Sequence, residues 1–201
     1  MSDWVWDGGR SSLDLLNTVR DRSRRARETL RNPGDLAAWL REASLLGDAS
    51  DPGEDDLNAA RRLRAAIDTL TFPPEHGDGP QTASAAEAVR ASAAAQAAVA
   101  VINAAAAHAP LGPRLALSRD GHPFVVPPRP SVAAALGRIA LDAIELLGGD
   151  DQLRVCAADD CGIRFVDRSP SGNRQWCSMR RCGNRLKARR HYARTGSADR
   201  G

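Results

Sequence analysis

The sequence predicts an α+β chain, predominantly α: a helical N-terminal domain with one β-hairpin, followed by a small cysteine-stapled module. Three observations predict it. Apolar residues recur at three- and four-residue intervals through much of the first three quarters of the chain, the period of an amphipathic helix. Asp120-Gly121 stands between two short strand-like runs. All four cysteines fall between Cys156 and Cys182. At 201 residues the length suits one medium domain plus a small module. The division falls between residues 1–149 and 150–201.

Residues 4 to 22 open with a short extended piece and a Gly8-Gly9 turn. A helix follows, capped by Ser11 or Ser12, with Leu13, Leu16 and Thr18 or Val19 as its buried stripe. A glycine pair before a helix N-terminus offers N–H groups to an anion, although a tight turn is the plainer reading. Asn17 is polar on a largely apolar helix; it either bonds backbone across the core or faces a pocket. Gly8, Gly9 and Asn17 are thus the candidate ligand-pocket residues.

After a charged loop from Arg20 to Arg31, Asn32-Pro-Gly-Asp35 starts a second helix. Leu36, Trp39, Leu40 and Ala43 form its buried face, and Gly47 ends it. A third helix runs to about Phe72, with Leu57, Ala60, Arg64, Ile67 and Leu70 or Thr71 on one side. Residues 73 to 80 read as a polar loop holding His76, and residues 82 to 108 as a long Ala-rich helix.

The run from Ala91 to Pro113 carries no charge, so a membrane span has to be weighed. Its large apolar residues are only Val99, Val101, Ile102 and Leu111, and alanine contributes little to insertion, so the expectation is no span. Ala-rich faces instead allow close helix packing, within the domain or in a homodimer. Residues 115 to 126 form the β-hairpin, with Asp120-Gly121 as a type I′ turn. Pro127-Pro-Arg-Pro130 breaks it. Ser131 caps a last helix to Leu147, with Val132, Leu136, Ile139 or Ala140, Ala143 and Leu147 buried, and Gly148-Gly149 ends it.

The cysteines form two C-x4-C pairs, Cys156/Cys161 and Cys177/Cys182, separated by fifteen residues. Two close pairs bridged by a short segment suit a closed tetrahedral zinc site, one structural Zn²⁺ with no open position for catalysis. Two disulfides would need an oxidising compartment. The N-terminus has no basic segment followed by an apolar run, so the expectation is a cytoplasmic protein with reduced thiols. The spacing does not match ferredoxin cluster motifs. A strand from Gly162, a Pro170/Gly172 turn, Trp176 before the second knuckle and a helix from about Cys182 give the order knuckle, hairpin, knuckle, helix, a treble-clef-like finger. So small a unit cannot bury a sufficient core unaided, and a metal staple supplies what is missing.

Charge divides the chain. From Arg154 onward the formal balance is +8, while the preceding residues sum to −5. Four thiolates and one Zn²⁺ leave about +6 on the tail. A basic tail on an acidic body points to a polyanion, most simply nucleic acid.

At these residues a family resemblance appears. Cys182-Gly-Asn-Arg185 followed by Lys187-Ala-Arg-Arg-His-Tyr-Ala-Arg194 resembles the CGNR zinc finger. The likeness extends upstream to Cys156, Cys161-Gly162, Phe165-Val-Asp-Arg-Ser169 and Trp176-Cys177-Ser178, about the last fifty residues. Gly8-Gly9, Leu13-Asp14 and Asn17-Thr18 resemble the opening of the ABATE domain that commonly precedes such fingers. The resemblance implies a bacterial transcription regulator that binds DNA through the finger, with an N-terminal domain for an unknown small-molecule effector.

Helical spacing then says what the tail can do. Arg181, Arg185 and Arg189 lie four apart on one face, Arg190 and Arg194 form a ridge beside them, and Lys187 lies elsewhere on the helix. Together with Arg180 these are the candidate nucleic-acid contacts, and arginine serves phosphate or guanine equally well. Arg185 and Asn184 carry a second reading, bracing the zinc knuckle. The histidines are scattered, and no Walker loop, nucleotide fingerprint or nucleophile elbow is present, so the expectation is a binding protein rather than an enzyme. Duplex DNA is the expected partner. An RNA-binding module and a zinc-stabilised protein-interaction domain are the alternatives.

Overall fold

The computed structural model describes residues 4–22, 25–47, 51–72, 93–109, 112–126 and 131–185. It divides the chain into two compact units, Leu30–Gly149 and a second unit joining Met1–Thr29 to Asp150–Gly201. This partition differs from the sequence division, because the first twenty-nine residues share a unit with the finger.

The unit Leu30–Gly149 is helical. Helix α2, Pro33–Glu42, starts as its sequence dictates: the Asn32 side chain accepts from the Asp35 N–H at 2.9 Å and Pro33 occupies the first turn. Leu36, Trp39 and Leu40 are fully buried. The helix ends before Gly47. Ser44 takes the left-handed conformation, φ +57°, and the Leu45 N–H closes onto the Leu40 carbonyl at 2.9 Å, satisfying a last-turn carbonyl. Helix α3, Glu54–Thr71, is capped in reverse, the Gly53 N–H donating to Asp56 Oδ2 at 2.9 Å. Its predicted face is buried at Leu57, Ala60, Arg64, Ile67 and Thr71, joined by Leu63 and Ala66.

Helix α4, Ala93–Ala106, represents the Ala-rich stretch and buries Ala95, Ala98 and Ile102. Helix α5, Val132–Gly148, is capped by Ser131 Oγ accepting from the Ala134 N–H at 3.1 Å. Helices α3, α4 and α5 pack on one another. Small side chains permit the approach of the chain after α4 to α5: a Cβ on Gly137 would lie 2.4 Å from the Ala109 nitrogen. Leu147 was expected in the core but stands 38% exposed, and Leu146 takes the buried position at 3%. Leu146 and Leu147 lie three and four positions after buried Ala143, so both fit the helical period, and packing takes Leu146.

The hairpin pairs β3, Arg114–Leu117, with β4, Pro123–Val126, antiparallel, with Leu115 opposite Val125. Its turn is not type I′. Only Gly121 has positive φ, +79°; the Gly121 N–H donates to the Ser118 carbonyl at 3.0 Å and the Ser118 N–H to the His122 carbonyl at 2.9 Å. That is a three-residue loop with glycine in the left-handed position, which a type I′ turn would require of Asp120 as well. Among the described residues no helix is long and apolar enough to cross a membrane. Residues 73–80 with His76, 82–92 of the Ala-rich stretch and 127–130 lie outside the described residues.

The other unit is built from short elements: α1, Ser11–Leu16; a ribbon of β1, Val19–Arg20, with β2, Arg27–Glu28; a hairpin of β5, Leu153–Val155, with β6, Arg164–Val166; and a π-helical turn, Met179–Gly183. The chain as a whole is α+β and predominantly α, as its sequence predicts.

Candidate metal centre and nucleic-acid interface

The first cysteine pair sits at the tip of the β5–β6 hairpin. The Cys156 N–H donates to the Ile163 carbonyl at 2.8 Å, and the Cys161 N–H to the Ala158 carbonyl at 3.0 Å. The hairpin therefore flanks the first knuckle rather than lying between the two knuckles, as the sequence order suggested. The Ala157 N–H, donating to the Gln175 carbonyl at 2.8 Å, ties the second pair to the first. Ser178 then caps the turn that carries Cys182: its Oγ accepts from the Arg181 N–H at 3.1 Å and its carbonyl from the Cys182 N–H at 3.0 Å.

All four sulfurs converge. Each cysteine is a free thiol and buried, and the four Sγ atoms lie within 4.8 Å of one another. The sulfurs of Cys161 and Cys177 are 3.7 Å apart, those of Cys177 and Cys182 3.8 Å. A tetrahedron of sulfurs about 2.3 Å from a central zinc has edges of about 3.8 Å, so the donor set fits one Zn²⁺ in a closed four-thiolate site. Cys156, Cys161 and Cys177 compete for charge at this separation. Hydrogen bonds from Cys161 and Cys177 pull Cys156 down, while the bond with Cys156 and burial push Cys161 up. Hydrogen bonding to Cys156 and Cys161, together with burial, pushes Cys177 up as well. A dication resolves that competition by taking all four as thiolates.

The shell around the sulfurs comes from both ends of the chain. Val5 from the N-terminal segment, Ala158, Ile163 and Phe165 are buried with the cysteines, and Trp176 packs against them. Beside this core Asp167 organises the loop between the knuckles. Its side chain is fully buried. Oδ1 accepts from the Ser169 hydroxyl at 2.6 Å and N–H at 2.9 Å; Oδ2 accepts from the Arg174 N–H at 2.8 Å and from Arg154 Nε at 3.0 Å. The Ser169 hydroxyl above all, then the backbone N–H groups and Arg154, hold its carboxyl down to about 2. Arg154 also donates to the Gly172 carbonyl. Arg174 donates from Nε to the Trp176 carbonyl at 2.8 Å and from Nη2 to the Cys177 carbonyl, with its guanidinium 4.8 Å from the Phe165 ring centroid.

Gly8, Gly9 and Asn17 are bonded within the chain itself. The Gly8 N–H is taken by Asp14 Oδ1 at 2.9 Å, and its carbonyl accepts from the Val166 N–H at 3.0 Å. A Cβ at Gly8 would lie 2.7 Å from that Asp14 oxygen, so close approach is why glycine stands there. The Gly9 carbonyl accepts from Arg168 Nη2 at 3.2 Å. The Asn17 carboxamide, in a residue 2% exposed, is spent on both backbone groups of Arg164. All three positions thus dock the α1 segment onto β6 and the residues just after it. The α1 cap is Arg10 rather than a serine; its side chain makes no cap bond and pairs instead with Asp151 at 2.8 Å.

Two family models match. A model described as the CGNR zinc finger covers residues 152–195, and the ABATE model, described as a putative stress-induced transcription regulator, covers residues 9–150. The chain belongs to the ABATE family. No curated protein matches it. The ABATE match takes in α1 and the β1–β2 ribbon, which by packing belong to the same unit as the CGNR finger.

The arginines of the finger divide. Arg185 Nη2 contacts Asp160 Oδ1 at 2.5 Å and the Cys182 sulfur at 3.8 Å, so it links the two knuckles across the metal site. Of its two readings, bracing the knuckle is the one its contacts support. Asn184 is exposed, and its backbone N–H closes the π-turn onto the Met179 carbonyl. Arg181 pairs with Asp7 at 3.2 Å. Arg180 is exposed. Lys187, Arg189, Arg190 and Arg194 lie outside the described residues. Asp167, Arg174, Asp160 and Val5 are the site residues that motif reading missed. None stands in a periodic pattern, and only the Phe165-Val-Asp-Arg-Ser169 likeness pointed near Asp167.

Proposed function

We propose that this ABATE-family protein is a non-catalytic, cytoplasmic transcription regulator that binds duplex DNA through its CGNR finger, held in shape by one structural zinc. The observation that carries this reading is the closed four-sulfur site at the base of an arginine-rich segment. The fourth ligand, Cys182, sits in the turn bearing Arg180 and Arg181, and Lys187, Arg189, Arg190 and Arg194 follow it in sequence. A rigid metal knuckle presenting consecutive cations is suited to phosphate and to guanine edges.

In the helical unit a cavity of about 330 Å³ lies between α3, α4 and α5. Leu63, Val101 and Leu136 line its apolar wall, with Asp56, Arg62 and His108 as polar groups. Its size and mixed lining support a small effector with an apolar body and a charged group. An Ala-rich helix supports a homodimer.

The test is selection of duplexes from a random pool by the zinc-loaded protein at near-physiological salt. An enriched motif is expected, and a palindromic one would report the dimer. Binding should weaken steeply as salt rises. No retention of DNA at any salt concentration would sink the proposal and favour a protein partner.

A further inference from the structure

The stretch that begins at Arg20 reads in sequence as a charged loop, but Val19–Arg20 and Arg27–Glu28 pair as a ribbon in the finger's unit. Residues 20–27 hold five arginines and one acid. A charge run is ordinarily a solvated face, and what sets this one apart is its anchoring. Thr29 donates to the Thr18 carbonyl through both Oγ1, at 2.6 Å, and N–H, at 3.0 Å. Arg22 Nη2 donates to the Leu16 carbonyl at 2.9 Å.

Like charges are crowded on this frame. Arg20 and Arg27 stand directly opposite across β1 and β2. Such cross-strand pairing of like charge is unfavourable in isolation. Arg164 of β6 is largely buried, and burial first, then repulsion from Arg22, pulls its pKa down to about 10. A polyanion laid across the ribbon eases the repulsion between Arg20 and Arg27.

The ribbon also shares a groove with the metal knuckle. A polar cavity of about 670 Å³ is lined by Asp21, Arg25, Ala26, Arg27 and Glu28 from the ribbon and by Asp160 from the first knuckle. Asp160 is the partner of Arg185, and Asp21 lies 3.8 Å from Arg27. The three carboxylates of this lining, Asp21, Glu28 and Asp160, face Arg25 and Arg27, and the five arginines of residues 20–27 outnumber them.

We propose that the β1–β2 ribbon is a second part of the DNA interface beside the finger, clamping the phosphate backbone of a duplex with Arg25 and Arg27. This rests on the reading above that the chain binds duplex DNA. The ribbon contributes no base recognition. It fixes the orientation of the finger and adds a salt-dependent, sequence-independent share of the affinity.

The test uses the full-length, zinc-loaded protein and a labelled mixed-sequence duplex, with affinity followed by anisotropy over a salt series. Arg25→Gln with Arg27→Gln is expected to weaken binding by about ten-fold near physiological salt and to make the salt slope shallower by about 2, because two phosphate contacts are lost. Arg138→Gln, exposed on α5, serves as a control that leaves both quantities unchanged. Zinc content reports that the finger is intact, and Arg25→Lys with Arg27→Lys should restore most of the slope. Wild-type binding with an unaltered double variant would overturn the ribbon's role and leave the finger's role standing. Preferential displacement of the duplex by structured RNA would also overturn it. No duplex binding by the wild type removes both readings together.

Discussion

Asn17 holds the backbone of Arg164 by both of its groups: the Asn17 Nδ2 donates to the Arg164 carbonyl at 2.9 Å, and the Arg164 N–H donates to Asn17 Oδ1 at 3.0 Å. The carboxamide thereby continues the sheet edge of β6 with a side chain, and it joins residues 147 positions apart in sequence. The finger is therefore completed by the N-terminus of the chain, which also supplies Val5 to its core and the Gly8 carbonyl to Val166.

Asn17→Ala removes one donor and one acceptor from partly buried backbone partners. Each group left unpaired costs about 1–3 kcal/mol, so a clear loss of thermal stability is expected. Zinc should leave faster on addition of a chelator. Asn17→Asp retains the acceptor but not the donor and should restore only part of the loss. A variant with wild-type melting and zinc release would show that the clasp is dispensable.

Arg185 and Arg180 should separate by role. Arg185→Ala breaks the link between Asp160 and Cys182, so zinc release should accelerate several-fold, and Asp160→Asn should do the same. Arg180→Ala should leave zinc release untouched and weaken duplex binding. Equal effects of Arg185→Ala and Arg180→Ala on zinc release would argue against the brace.

Asp167 gives a pH signature. Its carboxyl is held down to about 2, below the ordinary value near 4. The sign follows from linkage: a depressed carboxylate stabilises the fold above its unfolded pKa, and that stability is lost as pH falls through the folded value. Asp167→Asn should therefore be less stable than the wild type by an amount that is constant between pH 5 and 8. A gap that changes across that range would assign the effect to another group.

Gly137→Ala places a methyl where the Ala109 backbone nitrogen is 2.4 Å away. Backbone cannot swing aside as a flexible side chain can, so the chain after α4 must move off α5. Overpacking of this kind costs about 1–3 kcal/mol. Urea denaturation should show a lowered midpoint for the helical unit, and an unchanged midpoint would mean that the contact relaxes without cost.

Loss of zinc should be all-or-none in stoichiometry. Cys161→Ser or Cys177→Ser should reduce one bound zinc to none in native mass spectrometry, since a closed site with a missing thiolate binds weakly and its core has little else to stabilise it. Retention of a full equivalent by either variant would place the metal elsewhere.

Features that depend on near neighbours were legible before any fold was known. Two C-x4-C pairs specify a four-thiolate site because each pair spans one tight turn, and only a small loop has to close between them. Asn32 and Ser131 specify helix starts because their caps bond a residue three positions on. The buried faces of α2 and α3 follow from period alone. Local preference misled where two neighbours compete. Ser44 rather than Gly47 ends α2, and Leu146 rather than Leu147 enters the core, because packing selects one register among nearly equivalent ones.

Contacts between distant residues emerged only with the folded chain. No period or motif announces that Val5, Gly8 and Asn17 complete a finger more than a hundred residues away. Nor does any say that Arg185 faces Asp160, or that Asp167 gathers Ser169, Arg174 and Arg154. These are contacts between side chains and orphan backbone groups, and the need to pair every buried donor and acceptor is expressed only after the chain has folded.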